Sequence, residues 1–203
     1  VLNDAIKRGH IPNNPYQQYK LSFPQANREY LTKVELEKIM DVDLSNNKTL
    51  AKVRDIFLFT CYTGLRFQDA MDITMDNLID VDGEAYLQLD QRKTGERREI
   101  PLLMQAQRLI DKYEGSKERQ VKNLVLPKLS NQKTNEYLKV IANLAGITKP
   151  LSHHIARHTC ATTVLLDNGV SIDVVSHWLG HRSIRTTQIY GKTSHRNLSK
   201  VKG

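Results

Sequence analysis

Apolar residues recur at every third or fourth position in several stretches of the chain, and this period predicts a mostly helical protein. In LTKVELEKIMDVDL, Thr32 and Glu35 have the spacing of a capping box, so a helix is predicted to begin there. A second helix is predicted over residues 48–62, with Gly64 in its C-terminal turn. Further helices are predicted from about Phe67 and over residues 103–113, 133–145, 153–167, 171–178 and 183–190.

Residues 77–101 follow a different pattern, because apolar and polar positions alternate there as they do in β-strands. The alternation is broken at Asp82-Gly83 and at Thr94-Gly95, and both pairs suit hairpin turns. The segment therefore predicts a small antiparallel sheet of about three strands. The predicted fold class is α+β, mostly α-helical with one small antiparallel sheet.

The N-terminal stretch is rich in helix breakers, since Pro12, Pro15 and Pro24 preclude a continuous helix there. We therefore expect residues 1–25 to be the end of an upstream domain and an interdomain linker, and residues 26–203 to form one domain with a C-terminal tail. The stretch has no signal-peptide core, and no apolar run in the sequence reaches the length of a transmembrane helix. No membrane-spanning segment is therefore expected, and the motifs described below imply no membrane partner either.

The charge is positive and unevenly distributed. The formal net charge is +8 and the isoelectric point is about 9.5. Residues 149–203 hold eight Lys or Arg against two Asp, together with six of the seven histidines. A positive excess of this kind favours a polyanionic partner, with nucleic acid first and an anionic membrane second.

The stretch LSHHIARHTCATTVL places three histidines and an arginine at the start of a predicted helix. On that helix His154 and Arg157 lie on the same face as the apolar residues that follow. A buried charge is costly unless it is paired, so the pair forms either a structural salt bridge or the wall of an anion-binding cleft. His153 and His158 are either core histidines or contacts to a DNA backbone, and the sequence does not decide between these alternatives.

Three further stretches contain residues suited to phosphate chemistry. In TGLRFQDAMDIT, Arg66 follows a helix stop and Asp69 comes three residues later. The stretch HWLGHRSIRTTQIYG contains His181 in a turn and Tyr190 at a helix end. The hairpin RKTGERREIPL carries Lys93 at its tip. Each has an ordinary alternative: a surface arginine, a packed tyrosine and a solvated lysine turn.

Other catalytic signatures are absent from the sequence. It contains no Walker loop, no HExxH, no Cys/His zinc spacing, no GxSxG and no paired carboxylates suited to two metal ions. Phosphoryl chemistry would therefore depend on Arg, Lys and His, and no metal ion or cofactor is expected. Cys61 and Cys160 lie in apolar helical contexts and are expected to be buried thiols.

Taken in this order, the four clusters resemble the catalytic domain of the tyrosine recombinase, or phage integrase, family. The resemblance covers about residues 27–195 and is carried by TGLR, KTG, HxxRHTxAT and WLGHxSIxTTxxY. Cys160 departs from the family pattern, which often has Phe there. The resemblance implies the family's DNA breaking-rejoining fold, and it identifies residues 1–25 with the end of a core-binding domain and a linker.

The resemblance also implies a chemistry. Tyr190 would attack a DNA phosphodiester and form a 3′-phosphotyrosine, with Lys93 as general acid. Arg66 and Arg157 would bind the nonbridging oxygens, and His181 would hydrogen-bond one of them. His154 would help to accept the tyrosine proton, and Asp69 would orient Arg66. Expected DNA contacts come from Arg92, Lys93, His153, His158, Arg182 and Arg185.

The partner implied is double-stranded DNA at recombination sites, bound by a synaptic tetramer with accessory DNA-bending or directionality factors. The expected setting is the bacterial cytoplasm, and the expected role is integration and excision of a mobile element such as a prophage or conjugative transposon. A Xer-like resolvase, an inverting recombinase and a type IB topoisomerase-like enzyme would share the chemistry. A catalytically silent DNA-binding protein is the alternative from another functional class.

Overall fold

The computed structural model describes residues 1–16, 19, 29–90 and 97–191. Within these ranges the chain forms ten α-helices and three β-strands. The helices are α1 (Leu2–Lys7), α2 (Lys33–Asp41), α3 (Lys48–Thr63), α4 (Phe67–Asp72), α5 (Met104–Lys112), α6 (Lys117–Lys122), α7 (Asn131–Leu144), α8 (His153–Thr159), α9 (Ile172–Leu179) and α10 (Arg185–Gly191). The strands are β1 (Leu78–Val81), β2 (Glu84–Asp90) and β3 (Arg97–Pro101).

Helix α2 begins with the predicted capping box. The Glu35 backbone N–H donates to the Thr32 hydroxyl, and the Thr32 N–H donates to the Glu35 carboxylate at 2.8 Å. Lys149 forms an ion pair with the same carboxylate at 2.6 Å, which ties α2 to the segment leading into α8. One glutamate thus completes a helix start and links two distant parts of the chain.

Helix α3 is the centre of the core. From Asp55 to Thr63 every residue is buried, as expected for a helix that is covered on all sides. The one carboxylate in this run, Asp55, accepts hydrogen bonds from Lys112 at 2.6 Å and from Tyr113 at 2.7 Å. The helix ends at Gly64, whose φ of +68° is the left-handed conformation of a C-terminal cap.

The sheet is antiparallel, with strand order β1-β2-β3. Asp82 and Gly83 connect β1 to β2, and both have positive φ, as the predicted two-residue hairpin turn requires. Leu87 pairs with Ile100, and both side chains are fully buried. Arg98 pairs with Leu89 and, by the alternation of β3, lies on the same inward face. The predicted turn at Thr94-Gly95 lies outside the described residues.

The helix predicted over 153–167 is not regular throughout. Helix α8 continues as a π-helical turn over Cys160–Leu165 and a 3₁₀ turn over Leu166–Asn168. The Thr163 hydroxyl donates to the backbone carbonyl of Leu31, and the Asn168 amide donates to the carbonyls of Thr163 and Val164. Asn168 thus provides a partner for two carbonyls of the irregular turn, and Thr163 ties the turn to the segment before α2.

Both cysteines are buried and free, as predicted. Burial raises the pKa of the Cys160 thiol to about 12, so the thiol stays protonated and packs as an apolar group. Within the described parts of the chain, no helix combines the length and apolarity needed to cross a bilayer.

Candidate active site

Two helix ends meet at the candidate site. Gly64 ends α3 and Gly180 ends α9, and both have left-handed backbone conformations. A Cβ atom on Gly64 would lie 2.8 Å from Leu179 Cδ2 and 3.1 Å from Cys160 Sγ. Only glycine therefore lets the α3 terminus approach both α9 and the π-helical turn so closely.

Arg157 connects these two helix ends. It comes from α8 and is only 6% exposed, and its guanidinium donates to the Gly64 carbonyl at 2.5 Å and to the Leu179 carbonyl at 2.6 Å. Carbonyls at helix C-termini lack intrahelical partners and carry partial negative charge, so they stabilise a cation. Burial lowers the pKa of Arg157, while the nearby Tyr190 phenol raises it.

His181 lies directly after Gly180 and contacts the same guanidinium. Its Nε2 is 3.2 Å from Arg157 Nη2, and its Nδ1 is 2.8 Å from the Thr187 hydroxyl. A guanidinium can only donate, so Nε2 accepts from Arg157 and Nδ1–H donates to Thr187. The imidazole is thereby oriented between the end of α9 and α10.

Tyr190 extends from α10 into this group and is 3% exposed. Its hydroxyl is hydrogen-bonded to His158 Nδ1 at 2.7 Å, and its ring is nearly parallel to that of His181 with centroids 6.4 Å apart. His154 contacts the His158 ring edge-on, at 4.8 Å between centroids. The phenol thus lies among two imidazoles and a guanidinium, with a direct hydrogen-bond partner for its proton.

Arg66 and Asp69 lie at the start of α4, next to the end of α3. Arg66 occupies the N-cap position and Asp69 the first turn, and both side chains are exposed. Both affect the buried guanidinium of Arg157, since Arg66 lowers its pKa and Asp69 raises it. The structure therefore places the charges of Arg66 and Asp69 close enough to act on Arg157.

Arg98 lies in the same electrostatic environment as Arg157, although it is not among the site residues predicted from the sequence. It is 8% exposed, its Nε has no hydrogen-bond partner, and its guanidinium lies against Gly180. The signal was present in the alternation of β3, which places Arg98 and Ile100 on the inward face and Arg97 and Glu99 on the outward face.

Two of the expected DNA contacts are in the interior instead. His153 is buried against Phe57 and Phe67, and its Nδ1 is 3.2 Å from the Thr60 hydroxyl. Burial lowers the pKa of His153 to about 4, so the imidazole is neutral and unsuited to binding phosphate. His158 is also buried, and its Nδ1 is hydrogen-bonded to the Tyr190 hydroxyl.

The other expected contacts divide into two groups. Arg182, just before α10, and Arg185, its first residue, are exposed to solvent. Arg92 and Lys93, the expected general acid, lie outside the described residues. In the part of the chain that the structure describes, no cluster of His, Cys, Asp and Glu has a geometry suited to a metal ion.

Comparison with known proteins identifies the family. The model of the phage integrase family matches residues 29–196. The tyrosine recombinase XerD of Bifidobacterium longum (strain NCC 2705) is 31% identical over 188 residues, which cover 84% of this chain and 60% of that protein. The tyrosine recombinase XerD of Mycobacterium leprae (strain TN) is 36% identical over 142 residues, which cover 63% of this chain and 44% of that protein. The chain thus spans roughly half of the length of these relatives.

Solved structures share the fold. The XerH site-specific recombinase bound to palindromic difH substrate has a TM-score of 0.70 at 20% identity, covering 87% of this chain and 53% of that one. A lambda integrase tetramer bound to a Holliday junction has a TM-score of 0.68 at 21% identity, covering 93% and 55%. The Tn1549 transposon integrase with circular intermediate DNA has a TM-score of 0.71 at 18% identity, covering 93% and 69%. The predicted helical fold with a small antiparallel sheet is confirmed.

Proposed function

The chain belongs to the phage integrase family, and we propose that it is the catalytic part of a site-specific DNA recombinase that cuts and rejoins DNA through Tyr190. The supporting observation is the 2.7 Å hydrogen bond between the Tyr190 hydroxyl and His158 Nδ1, beside the buried guanidinium of Arg157. A free phenol has a pKa of about 10 and is a weak nucleophile at neutral pH. Tyr190 therefore needs the proton acceptor and the cationic surroundings that this geometry offers.

In the proposed reaction the Tyr190 oxygen attacks the scissile phosphorus, and the bond to the 5′-oxygen breaks. The phenol proton passes to His158, with His154 against the edge of that ring, and Lys93 protonates the leaving oxygen. The product is a 3′-phosphotyrosine and a free 5′-hydroxyl. Attack by the hydroxyl of another strand reverses the step, so the exchange requires no cofactor.

The transition state carries extra negative charge on the nonbridging oxygens. Arg157 is held in place by two helix-end carbonyls, so its remaining donors are preorganised for these oxygens. Arg66 adds a second guanidinium from the start of α4, with the Asp69 carboxylate in the first turn of the same helix. His181 accepts from Arg157 in this structure, so it must change tautomer or become protonated before its Nε2 donates to the phosphate.

The proposed partner is double-stranded DNA at the recombination sites of a mobile element, and the proposed setting is the bacterial cytoplasm. The net charge of +8 and the exposed Arg182 and Arg185 at the start of α10 support a DNA partner. Structures of similar fold hold difH substrate, a Holliday junction as a tetramer, and a circular intermediate. On the basis of the same similarity, we propose that the protein acts on DNA as a tetramer, assisted by DNA-bending or directionality factors.

A Xer-like resolvase is the second candidate, because the curated relatives described above are both named XerD. The two candidates use the same chemistry and differ in their DNA sites. Recombination at the ends of a mobile element would favour the integrase. Resolution of directly repeated chromosomal sites would favour the resolvase.

Covalent trapping tests the chemistry. The full-length protein is mixed with nicked suicide substrates that span the ends of its host element, and products are separated on denaturing gels. An adduct between protein and DNA 3′-phosphate is expected, and Tyr190→Phe should abolish it. A gel shift on the same DNA without any adduct would refute the cleavage activity and favour a silent DNA-binding protein.

The same assay distinguishes the two histidines. His158→Gln should slow adduct formation by about 100-fold or more, as expected for the loss of a general base. His154→Gln is the matched variant and should have the smaller effect, because the described hydrogen bond of the Tyr190 hydroxyl is to His158. A larger loss in the His154 variant would assign proton acceptance to His154 instead.

A further inference from the structure

Arg98 is a buried cation without an ion-pair partner in the described parts of the chain. Its neighbour Arg97 is exposed and forms an ion pair with Asp90 at 3.5 Å. Arg98 has no such partner there, and its Nε is buried without a hydrogen bond. A buried charged group of this kind is costly unless an opposite charge completes it.

The guanidinium of Arg98 lies at the candidate site rather than elsewhere in the core. A Cβ atom on Gly180 would overlap Arg98 Nη1 and would lie 3.0 Å from its Cζ. Gly180 separates Leu179, whose carbonyl accepts from Arg157, from His181. Arg98 therefore contacts the turn that positions two other predicted phosphate ligands.

The charges that act on Arg98 are those of the predicted site residues Arg157, Arg66 and Asp69. Burial and the like charges of Arg157 and Arg66 lower the pKa of Arg98 to about 10, and Asp69 opposes them. The guanidinium still carries its charge at neutral pH. Three arginines with one exposed carboxylate leave an excess of positive charge that an anion can neutralise.

We propose that Arg98 is a third arginine of the phosphate-binding site, stabilising the nonbridging oxygens of the scissile phosphodiester through the positive charge of its guanidinium. This inference rests on the proposed function and assigns one more residue to it. Arg98 reaches the phosphate from the sheet, whereas Arg66 and Arg157 reach it from helices. A side chain at position 180 would displace the guanidinium from this place.

The test compares Arg98→Met with Arg97→Met, a matched change at the adjacent, outward-facing arginine. Arg98→Met should slow formation of the Tyr190 adduct by about 100-fold, and Arg97→Met should leave it nearly unchanged. A purely structural role is separated by a substrate with a methylphosphonate at the scissile position, which lacks the nonbridging charge. On that substrate Arg98→Met and the wild type should differ by less than about tenfold.

A second readout requires no cleavage. Low concentrations of sulfate should raise the melting temperature of the wild type and of Arg97→Met relative to chloride at equal ionic strength, because sulfate occupies the phosphate site, whereas its general stabilising effect requires high concentrations. Arg98→Met should lose most of this increase. If that variant does not fold, Arg98→Lys replaces it in both assays and should show a smaller loss of the same kind, since a lysine keeps the charge but not the planar donor fork.

Several outcomes would overturn the inference. Equal deficits of Arg98→Met on the phosphodiester and the methylphosphonate would make Arg98 a structural residue. Wild-type rates and an undiminished sulfate effect in the variant would remove it from the site altogether. If no methylphosphonate is cleaved by either protein, the sulfate readout decides. Absence of any Tyr190 adduct in the wild type would refute the proposed function separately.

Discussion

His153 and His154 are adjacent in the sequence but have opposite environments. His153 is 6% exposed and lies between the phenylalanines of α3 and α4, whereas His154 is exposed and contacts His158. On a helix, neighbouring residues point about 100° apart, so one of the two can enter the core while the other faces the cleft. The HxxR spacing, with His154 three residues before Arg157, predicted His154 and not His153 as the catalytic histidine. The burial of His153 agrees with that prediction.

The buried imidazole of His153 should make stability depend on pH. Its pKa is about 4 in the folded protein, against 6.5 for the ordinary value. Between these values the unfolded chain binds the proton and the folded protein does not, so stability falls as the pH decreases from about 6.5 to 4. Between pH 7 and pH 5 this group alone should lower the free energy of unfolding by about 2 kcal/mol.

Urea unfolding of the wild type and of His153→Gln at pH 7 and pH 5 measures this effect. The variant should lose about 2 kcal/mol less than the wild type over that interval, whatever its stability at pH 7. His177→Gln, at an exposed histidine of α9, is the control and should retain the wild-type dependence. Equal pH dependence in all three proteins would contradict the burial of a neutral His153.

At the scale of elements, the close approach of α3, α9 and the π-helical turn depends on Gly64. Its φ of +68° is left-handed, and an added Cβ would meet Leu179 and Cys160. Gly146 offers a matched position, because its φ is +64° but no atom lies within 4 Å of an added Cβ. The two glycines therefore separate backbone strain from overpacking.

Gly146→Ala should lower the free energy of unfolding by about 1 kcal/mol, the cost of a left-handed conformation in a residue with a side chain. Gly64→Ala should cost about 1–3 kcal/mol more, because the core must also make room for the methyl group. Chemical denaturation at constant pH measures both variants. Equal losses would show that the α3–α9 contact tolerates an extra methyl group.

The regular elements were accessible from the sequence because local signals and tertiary packing agree in them. The Thr32 capping box, the stop of α3 at Gly64 and the Asp82-Gly83 turn all occur as predicted. Helix α6 was missed, although Ser116 caps its start and Asn123 ends it in the left-handed conformation. It is a single short polar helix with no buried residue, so it leaves no apolar period to detect.

The irregular features were not accessible, because they depend on contacts between distant residues. The π-helical turn coincides with a hydrogen bond between Thr163 and Leu31, which are 132 positions apart. The partnership of His158 with Tyr190 likewise spans 32 positions. Arg98, in contrast, could have been found from the sequence, because the alternation of β3 places it on the inward face. The sequence analysis assigned only Lys93, at the tip of the same hairpin.

At the scale of the whole molecule, the positive charge is concentrated in the segment that also supplies α8 to α10. Residues 149–203 carry eight Lys or Arg against two Asp. Arg182 and Arg185 are exposed on this segment, near the helix that carries Tyr190. Under the proposed function, charges in this position attract the DNA backbone to the site, whereas exposed charges elsewhere contribute only to the net charge.

DNA affinity should therefore depend on where the charge is removed. Arg182→Gln combined with Arg185→Gln should weaken binding across sequences and reduce the slope of log K against log salt by about two, because two arginines no longer neutralise a phosphate each. Lys33→Gln combined with Lys38→Gln removes the same charge from exposed positions on α2 and should leave the slope unchanged. Fluorescence anisotropy with labelled duplex between about 50 and 200 mM salt measures the slopes. Equal reductions in both double variants would mean that net charge, and not a local contact surface beside Tyr190, governs DNA binding.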